Sequence, residues 1–125
     1  MKQEELENVE SRLGITLPGR YRTALLEGVE VDGISLEPYF DQDPRSLLTS
    51  NQELRLSGQE LDGKLWPSGR FRIGDDGCGN FYYLDVDDPT CAVGFYDHET
   101  DDLELYAVSL ESYLKKIAKL MRGIG

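Results

Sequence analysis

The sequence predicts an α+β fold: one mostly antiparallel mixed sheet of about four to six strands, flanked by N-terminal helices and a C-terminal amphipathic helix. Three observations predict it. Apolar residues recur at helical spacing in the first part of the chain and again at its end. Between them lie short alternating runs rich in Tyr, Phe and Val. Those runs are joined by connections of a few residues, which suit an antiparallel meander.

The first helix is expected over Gln3 to Leu13, with Leu6, Val9 and Leu13 on one face and Gly14 as its stop. Pro18 suits the first turn of a second helix, which carries Tyr21, Leu25 and Leu26 and ends near Gly28. Val29 to Ile34 reads as a short strand with a turn at Asp32-Gly33. Asp43-Pro44 is a helix start, an Asp cap followed by proline. Leu47, Leu48 and Leu54 give that third helix its core face, and Ser57-Gly58 ends it. Leu61 to Gly69 reads as irregular and holds the one tryptophan, Trp66.

Strands follow over Phe71 to Asp75, Phe81 to Val86, Ala92 to Asp97 and Leu103 to Ala107. In the second, Tyr82, Leu84 and Val86 alternate with Phe81, Tyr83 and Asp85. Ser109 caps the last helix, whose stripe is Leu110, Tyr113, Leu114, Ile117, Leu120 and Met121. Lys115, Lys116, Lys119 and Arg122 suit the negative end of its dipole.

The net charge of −11 is unevenly spread. From Ile73 to Leu114 there is no Lys or Arg, while Asp75, Asp76, Asp85, Asp87, Asp88, Asp97, Glu99, Asp101, Asp102, Glu104 and Glu111 all fall there. The 13 acids elsewhere balance the 13 Lys and Arg residues. Such a field repels phosphate backbones, so no nucleic-acid partner is expected. It attracts a basic protein and speeds the encounter. It also reads as a solvated sheet edge kept soluble by its acids. No apolar run is long enough to span a bilayer, so no membrane partner is expected. The charged start Met1 to Glu5 is unlike a secretory leader, so the chain is expected in the cytoplasm with Cys78 and Cys91 as reduced thiols.

The motifs that could carry chemistry fall short. Gly74-Asp75-Asp76-Gly77-Cys78-Gly79-Asn80 has glycines, but no Lys and no following helix, so it does not suit a phosphate cradle. Glycines in a tight turn between strands explain it better. An EF-hand loop needs glycine sixth and glutamate twelfth. Starting at Asp97 gives Asp102 and Val108, and starting at Asp85 gives Thr90 and Tyr96. His98 is the single histidine, too few for a transition-metal site. Cys78 with His98 would make a nucleophile–base pair only if folding brought them together. No catalytic residue, metal or cofactor is expected.

What remains is a surface of aromatics and acids. Strand alternation cannot send Tyr82, Tyr83, Phe95, Tyr96 and Tyr106 all to one core, so some are expected to face outward. Outward aromatics ringed by acids would suit a basic, partly apolar partner. The candidate partner-binding residues are Trp66, Asp75, Asp76, Asn80, Tyr82, Asp85, Tyr96, Asp97 and His98.

The pattern Glu10, Leu13-Gly14-Ile15, Leu17-Pro18, Tyr21-Arg22, Leu25-Leu26 resembles the opening of the SUKH superfamily, the Smi/Knr-type domain. Ile73 to Asn80, Tyr83-Leu84-Asp85, Val93, Phe95 to His98 and the helix from Ser109 continue the likeness over nearly the whole chain. Gly19-Arg20 stands where an acid commonly precedes the Tyr of the second helix, and Cys78 where a glycine is common. The resemblance implies one Smi/Knr-type domain over 1–125, with a sheet backed by helices and no catalysis. It implies an immunity protein that neutralises a toxin domain, often a nuclease or deaminase. A regulatory or scaffold protein, as in control of fungal cell-wall synthesis, is the alternative. The expected partner is a basic toxin domain, and the chain itself is expected to be a monomer or weak dimer.

Overall fold

The computed structural model describes residues 1–56, 60–61 and 64–124. Its order is α1 (Gln3–Leu13), α2 (Gly19–Glu27), β1 (Glu30–Val31), β2 (Ile34–Ser35), α3 (Pro44–Leu56), β3 (Glu60–Leu61), β4 (Lys64–Leu65), β5 (Arg70–Asp75), β6 (Phe81–Asp85), β7 (Val93–Asp97), β8 (Asp102–Ala107) and α4 (Leu110–Ile124). β5 to β8 form an antiparallel meander in chain order, and β1–β2 and β3–β4 are separate two-stranded ribbons. The fold is α+β, as the periodicity predicts, with its main sheet wholly antiparallel.

The helices begin and end where local chemistry requires. α1 stops at Gly14, whose φ of 68° is left-handed. Asp43 Oδ1 accepts the Arg45 N–H at 3.0 Å at the head of α3, and Ser109 Oγ accepts the Ser112 N–H at 3.1 Å at the head of α4. Pro18 sits just before α2. Glu10 ties the first two helices: its Oε2 accepts the Leu17 N–H at 2.7 Å and its carboxylate pairs with Arg22 at 3.2 Å. The predicted stop of α3 at Ser57-Gly58 lies outside the described residues.

The turn expected at Asp32-Gly33 is present: both residues take positive φ and fold β1 onto β2, so the stretch read as a short strand is a two-stranded hairpin. Within the span read as irregular, Lys64–Leu65 pairs with Glu60–Leu61.

Both faces of the main sheet are covered. One carries Phe71, Ile73, Tyr82, Leu84, Val93 and Ala107 into the main core, against Leu6 and Val9 of α1, Tyr21 and Leu25 of α2, and Tyr113 and Ile117 of α4. The other carries Phe81, Tyr83 and Tyr96, packed with Leu54 and Trp66. Leu120, expected on the apolar stripe of α4, is exposed, while its neighbour Met121 packs against the main core. Bulges shift the register between Arg72 and Gly74 and between Val93 and Gly94. The second leaves Tyr106 and Ala107 both against the main core.

The sheet's two edges differ. β5 is sealed along its length. The Asp75 N–H donates to the Pro38 carbonyl at 3.0 Å, and the Asp41 N–H to the Ile73 carbonyl at 2.8 Å. Asn51 takes both backbone groups of Arg72, and Arg55 donates to the Ser68 and Arg70 carbonyls. β8, by contrast, has no strand on its far side among the described residues.

Candidate functional site

The meander brings the β5–β6 and β7–β8 turns to one end of the sheet. Asn80 joins them: its Oδ1 accepts the His98 backbone N–H at 2.9 Å and lies 2.6 Å from His98 Nδ1. His98 also packs over Gly79, where a side chain would crowd the imidazole. Asp75, Asp76, Asn80, Asp97 and His98 therefore gather at one end of the sheet.

Most of these carboxylates build turns. Asp75 accepts the Gly77 N–H and pairs with Arg72 at 3.1 Å. Asp76 accepts the Cys78 N–H and the Asn80 side-chain amide, both at 2.8 Å. Asp97 accepts the Glu99 N–H at 2.9 Å. An Asp that bonds the amide two residues on is the ordinary chemistry of a tight turn. Glu99, Asp102 and Glu104 are exposed and carry no side-chain bond among the described residues. They lie outside the expected set, and what separates them is local: Asp75, Asp76 and Asp97 each bond the amide two residues on, whereas these three side chains do not.

Tyr82 and Tyr96 do not face outward, and Trp66 is also buried. Tyr82, 4% exposed, sits under the helices with its ring 5.2 Å from Tyr113, 5.0 Å from Tyr106 and 5.1 Å from Phe95. Tyr96, also 4% exposed, lies on the opposite face, 4.8 Å from Phe81, and its hydroxyl donates to Asp101. Alternation does divide the aromatics, but the second face has its own small core around Trp66, so Tyr82, Tyr83 and Tyr96 are all buried and only Phe95 and Tyr106 stay half-exposed. Trp66 stands edge-on to Phe81 at 5.4 Å and Tyr83 at 5.3 Å. The Arg70 guanidinium lies over Trp66 and Tyr83, and that of Arg72 over Phe81. Asp85 is at the far end of β6, 3.5 Å from Arg70, away from the turn cluster.

Burial sets the phenols' acidity. It pushes Tyr82 and Tyr113 well up, with neighbouring tyrosines adding to the effect. Burial first, then the hydrogen bond to Asp101 and the charges of Asp101 and Asp97, raises Tyr96 to about 12. Asp88 goes the other way: the Thr90 hydroxyl, with the Ala92 and Thr90 amides, holds its carboxyl below the usual range.

In space the charge is less one-sided than along the chain. Arg70 answers Asp85, Arg72 answers Asp75, and Arg20 answers Glu111 at 3.2 Å. Within the acid-rich segment, Asp97, Glu99, Asp101, Asp102 and Glu104 of the β7–β8 turn and β8 form no ion pair among the described residues, whereas Asp87 and Asp88 lie at the other end of the sheet. Among the described residues no group of His, Cys, Asp and Glu is placed to hold a metal. Cys78 is exposed and Cys91 buried, both free. No helix among the described residues is long and apolar enough to cross a membrane.

A family model described as the SMI1 / KNR4 family (SUKH-1) matches residues 1–116. The chain belongs to the SMI1 / KNR4 family. A search of curated proteins found no match. The match runs from α1 into α4 and so takes in the whole main sheet and the acidic turn end. SMI1 / KNR4 membership places the chain among immunity or regulatory proteins that work through contacts with other proteins.

Proposed function

We propose that this chain is a non-enzymatic immunity protein that neutralises a basic toxin domain, of nuclease or deaminase type, in the cytoplasm. One observation carries the reading. Asp76, Asp97, Glu99, Asp101, Asp102 and Glu104, with no ion pair to a cation among the described residues, lie on the two turns at one end of the sheet and on β8, and Asn80 and His98 lock those turns into one surface. A toxin that acts on nucleic acid presents a basic cleft, and a fixed acidic surface can cover it in place of phosphate. Asp76, Asn80, Asp97 and His98 form the floor of that surface, and Glu99 and Asp102 supply its free charge. Trp66, Tyr82 and Tyr96 support it from within.

Growth rescue tests the reading. Co-expression with a panel of basic nuclease and deaminase toxin domains should restore growth against at least one of them. Cys78→Ser should rescue as well as wild type, because the reading gives the thiol no chemistry. Rescue from none of the panel, with stable capture of a non-toxin protein, would favour a regulatory scaffold instead.

A further inference from the structure

The two edges of the main sheet are treated differently, and the difference points to how a partner binds. β5 has its backbone groups taken by Asn51, Arg55, Pro38 and Asp41. β8 has no such cover among the described residues, apart from Lys116, whose Nζ donates to the Tyr106 carbonyl at 2.6 Å. The open stretch is therefore Asp102 to Leu105. An open edge is a template for another strand, and charges alone are enough to discourage chance pairing. This edge also carries apolar surface: Leu105 is 67% exposed and Val108, just past the strand, 69%. Beyond Lys116 an open groove of about 570 Å³ continues between Tyr106, Lys119 and Leu120.

We infer that β8 accepts an extended basic strand from the partner protein, which adds to the sheet along Asp102 to Leu105. Main-chain hydrogen bonds supply the affinity of such an addition, and alternate side chains supply its specificity. Here Lys or Arg of the incoming strand meets Asp102 and Glu104, and the apolar residues between them cover Leu105. Lys116 and Lys119 of α4 repel cations at the other end, so the charge gradient sets where the basic residues lie. A second copy of this chain does not fit: edge-to-edge pairing would gather Asp102 and Glu104 of both copies in one short ladder. The inference rests on the reading of the chain as a binder of a basic partner. A peptide titration judges the edge alone, whereas growth rescue judges the toxin.

The probe is the peptide acetyl-(Lys-Val)₃-amide, titrated into the full chain and followed by amide NMR and hydrogen exchange. The account predicts shifted and slowed amides along Asp102 to Ala107, with those of Arg70 to Asp75 unchanged. The exposed double variant Asp102→Lys/Glu104→Lys should weaken binding by about tenfold or more, as expected for reversed charges at a contact. A peptide of equal charge with Pro in place of Val, which removes alternate N–H donors, should bind far more weakly. Equal binding of the Pro peptide, effects confined to the 98–101 turn, or no binding at any soluble concentration would overturn the inference. So would peptide-independent dimerisation through β8.

Discussion

The Asn51 side chain in α3 bonds both backbone groups of Arg72 in β5: its Oδ1 accepts the Arg72 N–H at 2.8 Å and its Nδ2 donates to the Arg72 carbonyl at 3.0 Å. The amide acts as one residue of a missing strand. It does so with 0% exposure, and its Nδ2 also reaches the Leu47 carbonyl within its own helix. The acidic surface depends on this indirectly, since a sealed β5 leaves β8 as the edge open to partners.

Asn51→Leu should therefore lower stability by roughly 2–4 kcal/mol, because two buried backbone groups lose their partners and no water replaces them. Asn51→Asp should not restore it, since a carboxylate cannot donate to the Arg72 carbonyl. Urea unfolding followed by tryptophan fluorescence measures both, with Trp66 as the reporter.

Gly74 is needed for a different reason. A β-carbon there would fall inside contact distance of the Tyr39 and Pro38 carbonyls, which are backbone and cannot swing aside. Gly74→Ala should cost roughly 1–3 kcal/mol through overpacking. Gly69→Ala is the matched control, since open space surrounds that position, and it should stay within about 0.5 kcal/mol of wild type. Thermal or urea midpoints of the pair give the comparison.

Much of this fold was legible in the sequence. The caps at Asp43 and Ser109, the stop at Gly14 and the four strands of the main sheet lie within a residue or so of where periodicity places them. The second face of the sheet was not legible. Alternation says that Phe81, Tyr83 and Tyr96 oppose Tyr82 and Leu84, but not whether anything covers them. That depends on Trp66 and Leu54, which come from other segments of the chain. The acids were legible as a field and illegible as individuals. Asp75, Asp76 and Asp97 are committed to their own turns by bonds to amides two residues on, and Asp85 is answered by Arg70 across the sheet.

Alkali should weaken the fold once pH passes the ordinary range of a tyrosine. Tyr21, Tyr82, Tyr83, Tyr96 and Tyr113 all have phenols raised by burial above the ordinary 10.0, Tyr96 to about 12. A raised folded-state value means that the neutral phenol is favoured in the fold. The stabilisation is full below about pH 10 and falls as pH rises toward 12 and beyond. Urea midpoints should hold steady from neutral pH to about 10 and then drop, with tyrosinate absorbance rising together with unfolding. A tyrosinate signal that develops fully while the fold persists would contradict the burial of these rings.

The central claim is that free acids on the β7–β8 turn and β8 edge bind a basic partner. Its most direct test is the dissociation constant for a toxin domain from which the chain rescues growth. It would be measured at low and high salt for wild type and for Glu99→Gln/Asp102→Asn/Glu104→Gln. These three side chains build no turn, so the variant should fold as wild type does. The account predicts weaker binding by the variant, slower association, and a shallower dependence on salt, since screening over about 8 Å at physiological ionic strength then has less charge to act on. Equal affinity and equal salt dependence for the two chains would contradict it.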